Sequence, residues 1–102
     1  MGYDLHICRS EDWADAAKDP IDELEWVEVV RANGLERAGE ADSTPIYIGR
    51  SGENALSYLW MNGEIVVTGA TQEPDIVSAV SLAEQLGARV VGDDGETYPV
   101  SG

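Results

Sequence analysis

Basic side chains are scarce in this chain: six Lys plus Arg stand against 20 Asp plus Glu, a formal charge of −14 with the single His neutral. That scarcity argues against nucleic-acid binding and against anionic lipid surfaces, because both are held by clustered basic side chains. Cysteine is scarcer still. The lone Cys8 cannot close an internal disulfide, and an extracellular domain of this size more often carries several, so a reducing cytoplasm is the expected compartment. No segment approaches the roughly 18 apolar residues of a membrane span. The opening Met1-Gly2-Tyr3-Asp4 has no basic region followed by an apolar stretch, so no secretion signal is expected. Gly2 is a poor myristoylation site, because His6 stands where Ser or Thr is wanted.

Motifs that carry chemistry are missing as well. The chain has no phosphate-cradling glycine loop, no Gly-x-Ser-x-Gly elbow and no dinucleotide fingerprint. With one His and one Cys there is no second ligand at a metal-binding spacing, so no metal and no cofactor are expected.

What remains is an ordinary globular composition, 43% hydrophobic and 25% charged over 102 residues. It is enough for one packed core and too little for two, so residues 1–102 are expected to form a single domain. Tyr3 to Arg9 alternates, with Leu5 and Ile7 on one face and Asp4, His6 and Cys8 on the other, which predicts a first strand. Ser10 to Asp19 reads as a loop anchored by Trp13. Asp19-Pro20 is the expected helix opening, Asp19 capping and Pro20 pre-setting φ in the first turn. In the helix that follows, Leu24, Trp26, Val27 and Val30 are read as the apolar arc, with Asp22, Glu25 and Glu28 as an acidic outer face. Asn33-Gly34 or Gly39 would end it.

Leu35 to Thr44 reads as a polar connector, at most one helical turn, and Pro45 to Ile48 as a short strand. Asn62-Gly63 between two apolar runs is the clearest local signal, the favoured pair for a two-residue type I′ hairpin. That register pairs Trp60 with Ile65 and Tyr58 with Val67 on the core face, and Leu59 with Val66 on the other. From Glu73-Pro74 to Gly87 the helical period returns, with Ile76, Ala79, Val80, Leu82, Ala83 and Leu86 in one arc and Ser78, Ser81 and Gln85 opposite. Arg89-Val90-Val91 and Thr97-Tyr98 flank a second hairpin turn at Gly92-Asp93-Asp94-Gly95. The expected class is α+β: a mostly antiparallel sheet of five to six short strands in the order β-α-β-ββ-α-ββ, with both helices on one face.

Few constellations are candidates for a site. Asp4, His6 and Cys8 share one strand face, but in-strand neighbours stand ~7 Å apart and project in parallel rather than converging, so a catalytic trio is disfavoured. Asp93-Asp94-Gly95-Glu96 lacks the alternating acids of an EF-hand loop and is more simply a turn. The three tryptophans are expected in the core or as anchors rather than as a binding platform.

Tyr3-Asp4-Leu5-His6-Ile7 with Trp13, the Pro20-Ile21 start with Glu25-Trp26, Asn62-Gly63-Glu64-Ile65, and Gly92 to Tyr98 together resemble a group of small acidic bacterial proteins of uncharacterised function. The resemblance covers both ends and thins out from Val29 to Ser57, and Cys8 stands where a Thr is expected. It implies a bacterial cytoplasmic protein, similar in some members to the immunity proteins of toxin systems, and it brings no catalytic residues. The function expected on these grounds is a non-enzymatic domain that docks a cationic protein through Asp22, Glu25 and Glu28. The alternatives are a self-associating structural domain, such as a homodimer, and a small enzyme using Asp4 and His6.

Overall fold

The computed structural model describes residues 4–9, 18–41, 43–51, 54–70, 73–92 and 97–98. The elements run β1 (Leu5–Cys8), α1 (Glu23–Asn33), β2 (Glu36–Ala41), β3 (Thr44–Ser51), β4 (Asn54–Met61), β5 (Glu64–Thr68), α2 (Glu73–Gln85), β6 (Arg89–Gly92) and β7 (Thr97–Tyr98). All seven strands join one antiparallel sheet in the order β2-β3-β4-β5-β1-β6-β7. The fold is α+β.

The first strand is central because both of its faces are buried, with all four of its residues out of solvent. Leu5 pairs with Val67 on one side and Gly92 on the other, and Ile7 with Ile65 and Val90. Strands β2 to β5 form a meander, and β1 closes its inner edge before β6 and β7 complete the sheet. In the β4–β5 hairpin Tyr58 pairs with Val67, Leu59 with Val66 and Trp60 with Ile65. Asn62 (φ 51°) and Gly63 (φ 87°) both take positive φ, the geometry of a type I′ turn. Tyr58, Ile65 and Val67 belong to the main core.

Both helices pack on that face. Its core gathers Leu5, Ile7, Tyr58, Ile65, Val67 and Val90 from the strands, Trp26, Val29 and Val30 from α1, and Ala79, Leu82 and Ala83 from α2. In α2 the buried arc is the one read from periodicity, with Ser81 and Gln85 exposed. Gly87 (φ 63°) ends it, as the Ala88 amide returns to the Ala83 carbonyl at 2.8 Å.

Three expectations need correction. The stretch read as a polar connector contains an additional strand, β2, whose residues are nearly all exposed. As an edge strand it needs no apolar face, so periodicity could not mark it, and a bulge between Arg37 and Gly39 breaks its register further. With β2 at its edge the sheet runs to seven strands among the described residues. The first helix starts later than Asp19-Pro20: Asp22 is its N-cap, accepting from the Leu24 amide, and Glu25 reaches back to the Asp22 amide to complete a capping box. Finally, Leu24 is 71% exposed and Val29 is buried. Trp26, Val29 and Val30 follow the i, i+3, i+4 spacing, whereas Leu24 falls about 160° around the helix from Trp26. Gly34 (φ 68°) ends α1, with the Leu35 amide bonded to the Val30 carbonyl at 3.1 Å. Trp13 and the turn at 93–96 lie outside the described residues, though β6 and β7 pair as expected, Val90 with Tyr98.

Candidate functional sites

The acidic face of α1 is held in place from its N-terminal end. Arg9, just past β1, donates through Nη2 to Glu25 Oε2 at 2.6 Å and through Nη1 to Glu25 Oε1 at 3.2 Å. The same guanidinium donates to the Leu86 carbonyl at the end of α2 and to the Pro20 carbonyl. One side chain thus ties β1 to the start of one helix and the end of the other. The Glu25 carboxyl is held below its ordinary pKa, first by the Arg9 hydrogen bond and then by the Asp22 amide.

The three acids nominated from sequence are all exposed, and the structure gives them different tasks. Asp22 caps the helix, and Glu25 is shared between the capping box and Arg9. Glu28 has no ion-pair partner among the described residues. With Glu25 it rims a shallow groove of about 310 Å³ between the helices, whose other lining includes Val29, Ala32 and Leu86. An acidic rim over an apolar floor suits a Lys or Arg side chain, which can lay its stem on carbon and keep its charge at the edge.

On the face away from α1 and α2, His6 and Cys8 are buried and Asp4 is partly so. One partner of His6 is Glu64 on the neighbouring strand, Nδ1 to Oε1 at 2.5 Å, with both residues under 10% exposed. Sequence reading missed this pair, since residues 58 apart meet only once β1 lies beside β5. The Asn62-Gly63 hairpin puts Glu64 on the face of Leu59 and Val66, away from the core, but the neighbour of β1 was not legible. Cys8 is fully buried beside Val91, which is the environment of an inert structural thiol rather than a nucleophile. Among the described residues there is no group of three His, Cys, Asp or Glu side chains fit to hold a metal.

A cleft of about 530 Å³ lies where the C-terminal end of α1 meets β3, β4 and α2. Leu35, Val77 and Leu82 contribute to its lining, with Ser78 and Ser81 on the α2 side and Glu36 on the other. Gly49 and Tyr58 line it from the sheet, and Trp26 packs against Tyr58 at 5.8 Å between ring centres. A side chain at Gly49 would meet Leu35 Cδ2 at 2.8 Å and Tyr58 Cε2 at 3.0 Å. Behind Tyr58, Asp75 is buried in the first turn of α2 and accepts from Asn54 Nδ2 at 2.8 Å. Burial, and then the Asp75 charge, push the Tyr58 phenol up to about 12.

Among the described residues no helix is long and apolar enough to cross a membrane. Comparison of the chain with protein families, with functionally curated proteins and with solved structures finds no significant match in any of the three.

Proposed function

We propose that this protein is a non-enzymatic binding domain that docks a cationic protein partner on the acidic side of α1, in the manner of an immunity protein and in a bacterial cytoplasm. The observation that carries this reading is the groove rim, where Glu28 and Glu25 stand exposed above Val29, Ala32 and Leu86 in a chain of charge −14. The long-range field speeds encounter with a basic surface, and the groove offers a place for one basic side chain to lodge. Asp22 and Glu25 also hold the helix together, so Glu28 is the acid whose removal tests binding without disturbing the fold.

The test is an amide NMR titration with a short Lys/Arg peptide and, as control, a Glu peptide of equal length. Shifts at Glu28, Val29, Ala32 and Gln85 that weaken with salt and vanish in Glu28→Gln support the reading. Binding that is indifferent to Glu28→Gln, or shared by the Glu peptide, overturns it.

A second reading, self-association, is favoured by one specific feature. Ile46, Leu59 and Val66 are in register across β3, β4 and β5, half-buried on the face away from the helices. Sedimentation velocity showing a dimer that Leu59→Glu dissolves would make that face the functional one.

A further inference from the structure

The cleft at the C-terminal end of α1 takes no part in the docking surface above, and three features of it point to a ligand. Its size is that of a small-molecule pocket, and its lining mixes apolar side chains with a few hydroxyls. Tyr58 is 1% exposed, yet its hydroxyl lies 3.7 Å from the position a Gly49 Cβ would take, at the cleft wall. No group among the described residues hydrogen-bonds that hydroxyl. A buried polar group is normally paired, so a hydroxyl left at the wall of a cleft is one that a guest can satisfy.

The charge of the guest follows from what surrounds the cleft. Among its described lining residues Glu36 is the one charged side chain. Asn33, Gly34 and Leu35 bring the carbonyl end of α1 to it, the negative end of the helix dipole. Asp75 adds negative charge behind Tyr58. These groups favour a cation over an anion.

We propose that this cleft binds a small amphipathic amine, its apolar body against Leu35, Val77 and Leu82 and its ammonium group donating to the Tyr58 hydroxyl oxygen. The phenol keeps its proton at neutral pH, so the oxygen accepts the bond as a neutral group and the surrounding carboxylates supply the charge preference.

The probes are 2-phenylethylammonium, 2-phenylethanol and 3-phenylpropanoate, alike in shape and different in charge, titrated into the full chain with amide shifts as readout. The ammonium should give saturable shifts at Gly34, Gly49, Ser78 and Ser81, with the alcohol weaker by roughly tenfold, the worth of one charge-assisted hydrogen bond. The propanoate should give none. Tyr58→Phe should weaken the ammonium severalfold, and Ser81→Leu, at an exposed helix position, should plug the cleft with the fold intact by circular dichroism. Equal binding of the three probes, shifts spread over the surface, or an affinity unmoved by Ser81→Leu would overturn the proposal. Because Glu28 lies outside this cleft, Glu28→Gln should leave amine binding unchanged, which separates this site from the docking groove.

Discussion

The indole Nε1 of Trp60 donates to the carbonyl oxygen of Ile21 at 2.8 Å. Ile21 is fully buried, and its own amide donates to the Gly63 carbonyl at 2.8 Å. The segment that leads into α1 is therefore pinned to the β4–β5 hairpin through both the carbonyl and the amide of Ile21. Trp60→Phe removes the donor and leaves a buried carbonyl unpaired, and it should destabilise the fold by about 1–3 kcal/mol. Urea unfolding measures it, and a loss well under 1 kcal/mol would mean that the clamp contributes little.

The hairpin itself depends on its turn residues. Val in place of Gly63, at φ 87°, meets the steric penalty of a β-branched residue at positive φ, and the expected cost is roughly 1–3 kcal/mol. Gly63→Ala should cost less. Equal thermal midpoints for wild type and Gly63→Val would count against the type I′ assignment.

The Arg9–Glu25 pair makes a pH-dependent contribution with a definite sign. Glu25 is depressed in the folded chain, chiefly by the Arg9 hydrogen bond. Its stabilisation is therefore present above the unfolded glutamate pKa of about 4.3 and is lost as pH falls through the lower folded value. Wild type should exceed Glu25→Gln in unfolding free energy at pH 7, and the gap should close on acidification toward pH 3. Because the pair is solvated, added salt should narrow the gap at neutral pH too. A gap that persists unchanged at low pH would assign the effect to the capping geometry rather than to charge.

His6 and Glu64 should behave as one unit. Removing either partner leaves the other buried with a lost hydrogen bond, so His6→Gln and Glu64→Gln should each destabilise, while the double variant costs less than their sum. A coupling of roughly 0.5–3 kcal/mol in a double-mutant cycle is expected. Additive effects would show that the contact is incidental.

Much of this molecule follows from local rules written in the chain. The Asn62-Gly63 turn dictated not only a hairpin but its register and its core face, because a two-residue loop leaves one way to pair alternating side chains. The second helix was equally plain, its apolar arc complete over three turns and closed by Gly87. The exposure of Asp22, Glu25 and Glu28 followed from helical spacing alone, although the exact start of α1 did not, since the Asp22–Glu25 capping box competed with the more conspicuous Asp19-Pro20. Other features were set only by the tertiary structure. That β1 sits in the middle of the sheet, with His6 against Glu64, depends on which strand edge a returning chain meets, and no local periodicity encodes an edge. That β2 is a strand at all depends on β3 offering hydrogen bonds to a polar segment that buries nothing. The cleft at Tyr58 arises where the end of one helix, the side of another and a glycine of the sheet meet, a juxtaposition of residues 33 to 36, 49, 58 and 77 to 82. Turn chemistry and helical period act over a few bonds and are legible in sequence, whereas a site assembled across the sheet exists only after the chain has closed on itself.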